Sequence, residues 1–312
     1  MWSSMARQIN RELKLKVLSR CPVCRSKLTQ FAFKAPTTRG QDTRMWSVSA
    51  CGSCTHHFIN PQPSWDDLKI YYDNCYGAYS PNHGTEAGDE DVIRGAQQTG
   101  KLRGIPLPTG KRLLDAGCGA GSFLRIANKL GALGEGIEPS EYASGVARSQ
   151  GLKVFCGTIE AFAQQTTDTF DIITSHHVME HVPDPVASFS AMRKLLAPNG
   201  FIWIAVPNAA YPPARALKRR WHSSDLPYHL MQFSPTSLRT AGELANLKVR
   251  TQETLSIPHL VETSLAQYFR YKWMIPRKIS HGSGILKPLA GWYAKLMDRR
   301  CAGEAIITEF VT

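Results

Sequence analysis

The sequence predicts an α/β fold: a seven-stranded, mostly parallel sheet with helices on both faces, preceded by a small cysteine-held module. Three observations carry this. From Lys111 onward, short apolar runs alternate with helical patterns, the order expected of strands joined by crossover helices. A glycine cluster directly follows the first of those runs, and two pairs of cysteines lie well ahead of it. The chain has 312 residues, 43% of them hydrophobic, enough for one large domain or two smaller ones and incompatible with wholesale disorder. No run approaches the ~20 apolar residues of a membrane-spanning helix.

The first module is read from Cys21-Pro22-Val23-Cys24 and Cys51-Gly52-Ser53-Cys54, with 26 residues between the pairs. Each pair can curl so that both thiolates face one point, and two such turns supply the tetrahedral sulfur set that Zn2+ prefers. Cys21, Cys24, Cys51 and Cys54 are therefore expected to hold one structural zinc with no open position. His56 and His57 follow as spare ligands that a four-thiolate site does not need. Segments around Phe31–Phe33 and Trp46–Val48 suit a hairpin between the knuckles. The remaining cysteines, Cys75, Cys118, Cys156 and Cys301, are scattered singly, which fits a reducing cytoplasm better than a secreted disulfide scaffold. The first twenty residues are basic but lack an apolar stretch, so no secretory signal is expected.

This zinc-ribbon module is placed at residues 1–62. Pro61 and Pro63 then fix an extended link. Trp65, Leu68, Tyr71, Tyr72 and Tyr76 suggest a short aromatic helix in a helical linker or substrate-side segment over 63–108, with a loop at 77–91. The core is expected at 109–255. Its strands are Arg112–Ala116, Leu133–Glu138, Lys153–Cys156, Phe170–Ser175, Gly200–Val206 and Lys248–Leu255, with the last strand of the sheet at 304–312. Helices fit at Gly121–Leu130, Glu141–Ser149, Pro185–Leu196 and Pro235–Ala245. Residues 256–303 form a basic, aromatic insertion. Right-handed crossovers put the ligand site at the carboxyl ends of the strands.

The first core strand runs into Leu114-Asp115-Ala116-Gly117-Cys118-Gly119-Ala120-Gly121. Its Gly-x-Gly-x-Gly spacing is neither the dinucleotide fingerprint nor a P-loop, since no Lys-Ser/Thr follows. Asp115 would repel a pyrophosphate but suits a cationic ligand. Glu138 ends the second strand 21 residues after Gly117, where a carboxylate can accept hydrogen bonds from a ribose diol.

These segments, with Gly-Ile-Glu-Pro-Ser and Phe-Asp-Ile-Ile-Thr-Ser-His-His-Val-Met-Glu-His-Val-Pro-Asp-Pro, resemble the class I S-adenosylmethionine-dependent methyltransferases over about residues 110–250. The four-Cys ribbon, Asn-Pro-Gln-Pro and Tyr-Tyr resemble a bacterial subgroup often associated with modification of cell-surface saccharides and other small molecules. The resemblance implies a Rossmann-like sheet. It also implies that Asp115, Gly117 and Gly119 hold the methionine end of S-adenosylmethionine, that Glu138 holds its ribose, and that Thr158 and Ile159 lie along its adenine. Cys118, Gly121 and Ser175 complete the expected cofactor contacts.

Methyl transfer is an in-line displacement in which the protein orients the acceptor and removes its proton. His177 and His181, just past the fourth strand, are candidate bases. The alternative for Glu180 and His181 is a cofactor-organising role. A third candidate, His229, lies in Tyr228-His229-Leu230-Met231-Gln232-Phe233-Ser234-Pro235, where Ser234 reads as an N-cap and Pro235 as the first helical residue.

The net charge of +12 is uneven. Residues 81–208 hold eleven Lys/Arg against thirteen Asp/Glu, whereas residues 1–80 hold eleven against five and residues 209–312 fifteen against seven. Basic flanks favour anionic partners. Residues 265–300 combine eight Lys/Arg and a single acid, Asp298, with six Trp, Tyr or Phe. That segment suits peripheral contact with an anionic membrane, with nucleic acid contact or a packed lid as alternatives. The function expected is methyl transfer to a small-molecule acceptor: a saccharide, nucleotide-sugar or lipid-linked saccharide. An RNA methyltransferase using the ribbon, and a non-catalytic S-adenosylmethionine-binding assembly subunit, are the alternatives. The expected location is the cytoplasm or the inner face of its membrane.

Overall fold

The computed structural model describes residues 13–38, 43–68, 72, 89–98, 100–106, 108–274 and 286–312. Tyr71, Tyr76, Cys75, the expected loop as far as residue 88 and the centre of the 265–300 segment lie outside the described residues.

The chain opens with β1 (Leu15–Lys16), β2 (Thr29–Pro36), β3 (Met45–Cys51), β4 (His57–Ile59) and β5 (Gln62–Pro63). β2 and β3 form the expected hairpin, paired from Thr29 opposite Cys51 to Pro36 opposite Met45. Trp46 and Val48, two positions apart, are both buried, the alternation of a half-buried strand. The Trp46 indole N–H donates to Thr37 Oγ1 at 3.0 Å.

Next come α1 (Asp89–Gln98), β6 (Arg112–Ala116), α2 (Ser122–Lys129), β7 (Leu133–Glu138), α3 (Glu141–Ser149), β8 (Val154–Cys156) and α4 (Ile159–Gln165). They are followed by β9 (Phe170–His176), α5 (Pro185–Leu195), β10 (Leu196–Pro207), α6 (Pro212–Leu217), β11 (Met231–Gln232), α7 (Pro235–Leu244), β12 (Lys248–Leu255), α8 (Pro258–Trp273), α9 (Lys287–Arg299) and β13 (Ala305–Val311). The loop expected to reach residue 91 gives way to helix at Asp89.

Seven strands make one sheet in the order β12-β13-β10-β9-β6-β7-β8, and the pairings from β10 through β8 are all parallel. The helices of this sheet start where their caps dictate. Ser140, Thr158 and Asp184 each accept a hydrogen bond from the backbone N–H three residues on, and Pro185 occupies the first turn of α5. Ser234 does the same for Ser237 N at 3.1 Å at the start of α7. β10 begins earlier than the sequence indicates: it pairs with β9 at Leu196, shifts register, and resumes at Phe201. Asn199, at φ +64°, takes the left-handed conformation within this irregularity.

Two compact units result: Met1–Ser64, Val206–Thr240 and Gln252–Ile307 in one, and Trp65–Ala205, Ala241–Thr251 and Thr308–Thr312 in the other. The first joins the cysteine module to α8 and α9. Its small sheet has the order β11-β4-β3-β2, so Met231 and Gln232 pair with Phe58 and His57. α8 and α9 pack through Val261, Leu265, Ala290 and Ala294. Asp298, in the last turn of α9, accepts from Ser256 N at 3.0 Å and Ser256 Oγ at 2.8 Å, tying that helix to the end of β12. Among the described residues no helix is long and apolar enough to cross a membrane.

Asp298→Ala leaves the Ser256 N–H without its acceptor, and destabilisation of about 1–3 kcal/mol is expected in urea unfolding. Asp298→Asn, which keeps one acceptor oxygen, should recover part of that loss; equal stability of all three proteins would remove the clamp from the account.

Candidate functional site

A cavity of about 630 Å³ opens at the carboxyl ends of β6, β7, β8 and β9. Its lining comes from Asp115–Ala120 after β6, Glu138 at the end of β7, Gly157–Glu160 after β8 and His176–Met179 after β9. This is where parallel strands deliver their loops to one edge. All of the lining belongs to the second compact unit.

The three loop glycines have distinct jobs. All adopt positive φ, at +81°, +55° and +84°. A Cβ on Gly119 would meet nothing within 4 Å, so this residue faces open space in the cavity. A Cβ on Gly117 would run into the Val178 side chain, and one on Gly121 into Leu152 and Ala147. Gly121, expected at the cofactor, does not line the cavity: it is the N-cap of α2 and serves close packing. Ser175 is likewise fully buried in β9 and absent from the lining, because at the strand's end it is His176, not Ser175, that reaches the cavity. Cys118, Thr158 and Ile159 do line it.

Glu138 is 3% exposed. Its two carboxylate oxygens accept from Gly119 N at 3.0 Å and Ser140 N at 2.8 Å. Asp115, also buried, accepts from the Thr174 hydroxyl at 2.8 Å. Burial pushes the Asp115 carboxyl up to about 7, with the Glu138 charge adding to the rise and the Thr174 hydroxyl and Lys101 opposing it. Burial also raises the Cys118 thiol, helped by the negative charge of Asp115 and Glu138, so Cys118 stays a neutral wall. His176 is clamped between the rings of Phe123 and Trp203, with centroids at 4.1 and 4.5 Å. Burial holds it well below the usual imidazole range, in the neutral form.

His177 sits at φ +56°, a left-handed position that is uncommon for a side-chain-bearing residue. Its Nδ1 is 3.3 Å from Glu180 Oε1, and its side chain is 54% exposed against 1% for Glu180. His181 also lines the cavity, and its Nδ1 is 2.7 Å from the Tyr72 hydroxyl. Thus His177 and His181 come together on one wall. His229 lies in the first unit, where its Nδ1 is 2.8 Å from Ser223 O. Asn208 donates to Gly303 O at 2.7 Å and accepts from Ala210 N within that same unit. Glu160 accepts from the Ser188 hydroxyl at 2.5 Å.

Trp65 and Tyr72, from the aromatic segment read from sequence, also line the cavity, as does Lys101, which the sequence did not single out. Trp65 and Tyr72, whose rings lie 5.4 Å apart, form an aromatic wall, and Lys101 contributes a cation. The aromatic run after Pro63 carried a signal for the first two; Lys101 stands in a stretch with no local signature.

The four module cysteines also converge. Their Sγ atoms all lie within 4.8 Å of one another, with Cys21–Cys54 at 3.6 Å and Cys24–Cys51 at 3.5 Å. Four thiolates around zinc at ~2.3 Å stand roughly 3.8 Å apart, so the set fits the ion. The two knuckles are alike: Arg25 and Thr55, both at φ +61°, donate their N–H to Cys21 O and Cys51 O. His56 turns into the core against Phe58 and Phe233, its ring nitrogens beside Ser237 Oγ and Met231 Sδ and outside the cysteine cluster, and burial lowers it to about 3, which keeps it neutral there.

A family model for a methyltransferase domain matches residues 90–252. The chain is similar to the ubiquinone biosynthesis O-methyltransferase of Histophilus somni, at 37% identity over 113 residues, covering 33% of this chain and 48% of that protein. The protein of the same name from Aromatoleum aromaticum is 40% identical over 105 residues, 32% of this chain and 45% of its own. The chain spans about half the length of these curated relatives. A solved S-adenosylmethionine-dependent methyltransferase from Mesorhizobium loti is similar at TM-score 0.47 and 18% identity, over 70% of this chain and 99% of that one. With more than half of its length matched by the family model, and with a parallel sheet that ends in a glycine loop and a buried acidic strand terminus, the chain belongs to the methyltransferase-domain family, in its class I S-adenosylmethionine-dependent branch.

Proposed function

We propose that this chain is a methyltransferase that uses S-adenosylmethionine to methylate a hydroxyl of a small-molecule acceptor. The observation that carries the reading is the cavity itself: the open face of Gly119, the buried carboxylates Asp115 and Glu138, and the histidines His177 and His181 share one cavity. Glu138 would hold the ribose diol, since a carboxylate oxygen accepts more than one hydrogen bond. Asp115 would face the cationic methionine end. When bound, the cofactor supplies a methyl group on a sulfonium, already activated for displacement.

The chain's own residues then have one chemical task, to orient the acceptor hydroxyl and take its proton. His177 is the candidate base. The buried Glu180 carboxylate beside its Nδ1 favours the tautomer that leaves Nε2 as proton acceptor, and stabilises the imidazolium once formed. His181, hydrogen-bonded to Tyr72, orients the wall against which the acceptor lies. Both relatives are named as O-methyltransferases of ubiquinone biosynthesis, which supports a hydroxyl acceptor. Trp65 and Tyr72 offer an aromatic surface for the flat apolar face of a saccharide or phenolic ring. On this reading the four cysteines hold a structural zinc with no open position for chemistry.

Three outcomes test it. Cofactor affinity measured by calorimetry should rise with pH up to about 7 and then level off. A carboxyl raised to about 7 must lose its proton to meet a cation, which weakens binding by up to about tenfold per unit below that pH. Asp115→Asn should bind more weakly and without this slope; an unchanged slope would remove Asp115 from the site. Turnover with labelled methyl donor, on a panel of hydroxylated aromatics and nucleotide-sugars, should fall about 10²–10⁴-fold in His177→Ala with cofactor affinity retained. Full turnover in that variant would exclude His177 as base. Elemental analysis should find about one zinc per chain, and Cys21→Ser should loosen the ribbon while cofactor affinity persists. A metal-free protein with an ordered ribbon would exclude the zinc.

A further inference from the structure

Within the first unit, the last turn of α8 is exposed throughout: Arg270, Tyr271, Lys272 and Trp273, followed by Met274. Trp273 is 63% and Met274 86% exposed. In α9 the buried positions Ala290, Ala294 and Met297 form one stripe, while Leu289, Trp292, Lys295 and Arg299 lie exposed on the other side. Trp292 is 61% exposed. The exposed run Lys218-Arg219-Arg220 joins this surface through Arg220, whose guanidinium sits 4.1 Å from the Tyr271 ring centroid. The local acid Asp298 is engaged by Ser256, so its charge is directed inward.

We propose that the exposed basic and aromatic side chains of this unit dock on an anionic lipid surface. Bulky side chains of this kind are ordinarily packed away, and a cluster of them on one unit marks an interaction site. The chemistry selects the partner. Trp and Tyr with a polar edge and an apolar body settle at the headgroup boundary. Lys and Arg lay their stems along apolar surface and reach lipid phosphates with their charged ends. Protein interfaces also favour Trp, Tyr, Met and Arg, but they are depleted in lysine, and Lys218, Lys272 and Lys295 are exposed here. A nucleic acid would use the aromatic rings and cations but has no use for exposed Leu289 and Met274, which offer neither stacking nor hydrogen bonding. The inference stands on these side chains alone and is independent of what the cavity methylates.

Co-sedimentation of the full chain with vesicles tests it. The protein should partition onto phosphatidylcholine vesicles containing about one-third phosphatidylglycerol, weakly onto phosphatidylcholine alone, and less as salt rises. Trp273→Ser/Trp292→Ser should lower the partition coefficient by about tenfold or more. Arg270→Gln/Lys272→Gln should lower it about fivefold per charge, and only on the anionic vesicles. All four positions are exposed, so melting temperature and cofactor affinity should match the parent; if the tryptophan variant melts early, the charge variant carries the test. Equal partition of parent and both variants, or no partition of the parent, would overturn the proposal. Retention of single-stranded RNA at a salt concentration where vesicles are not bound would assign these side chains to nucleic acid and overturn it as well.

Discussion

The cavity is organised by one buried carboxylate. Glu138 ends β7 with almost no access to water, a position that strongly disfavours a charge unless donors surround it. Two backbone N–H groups do so, from Gly119 in the loop after β6 and from Ser140 at the cap of α3. One side chain thus fixes the path of the glycine loop, the entry of the following helix and the end of its own strand. The ordering is mutual, because the loop can present the Gly119 N–H only in a left-handed conformation that glycine adopts without a steric penalty.

The same burial explains the contrast between the two acids. Glu138 receives two backbone donors, whereas the recorded bond to Asp115 comes from one hydroxyl, and it lies in the field of Glu138. A cavity that keeps a carboxyl poised to ionise holds stored affinity for a cation. Around it, His176 and Cys118 are held neutral by burial, so the charge that a ligand meets is concentrated on few atoms.

Much of this was legible in the sequence. The strands Arg112–Ala116 and Leu133–Glu138 fall where their apolar patterns put them, since buried parallel strands write their limits in composition. Cap residue Ser234 marked a helix start for a local reason, and Ser140 and Asp184 cap the two helices whose starts were expected next to them. What stayed hidden is non-local. Ala197-Pro198-Asn199-Gly200 reads as a turn, yet the chain pairs before it and resumes after it, because β9 offers a partner on both sides of the irregularity. The spacing of Gly117, Gly119 and Gly121 suggests three ligand contacts, but only their surroundings distinguish Gly117 and Gly119, which line the cavity, from Gly121, which faces Leu152 and Ala147. Lys101 reaches the cavity from a segment without a pattern, and no local rule identifies such a residue.

The pairing of β4 with β11 has a consequence for how the chain is made. Met231 lies 173 positions after Phe58, its partner. On a ribosome adding ~5–20 residues per second, that separation leaves the β4 edge without its neighbour for roughly 10–30 s. An open strand edge is a template for pairing with other chains. The cysteine knuckles, complete by residue 54, can hold the hairpin together through this interval if metal arrives early. If the four cysteines hold the proposed zinc, metal supply during synthesis then bears on how much of the chain escapes misassembly.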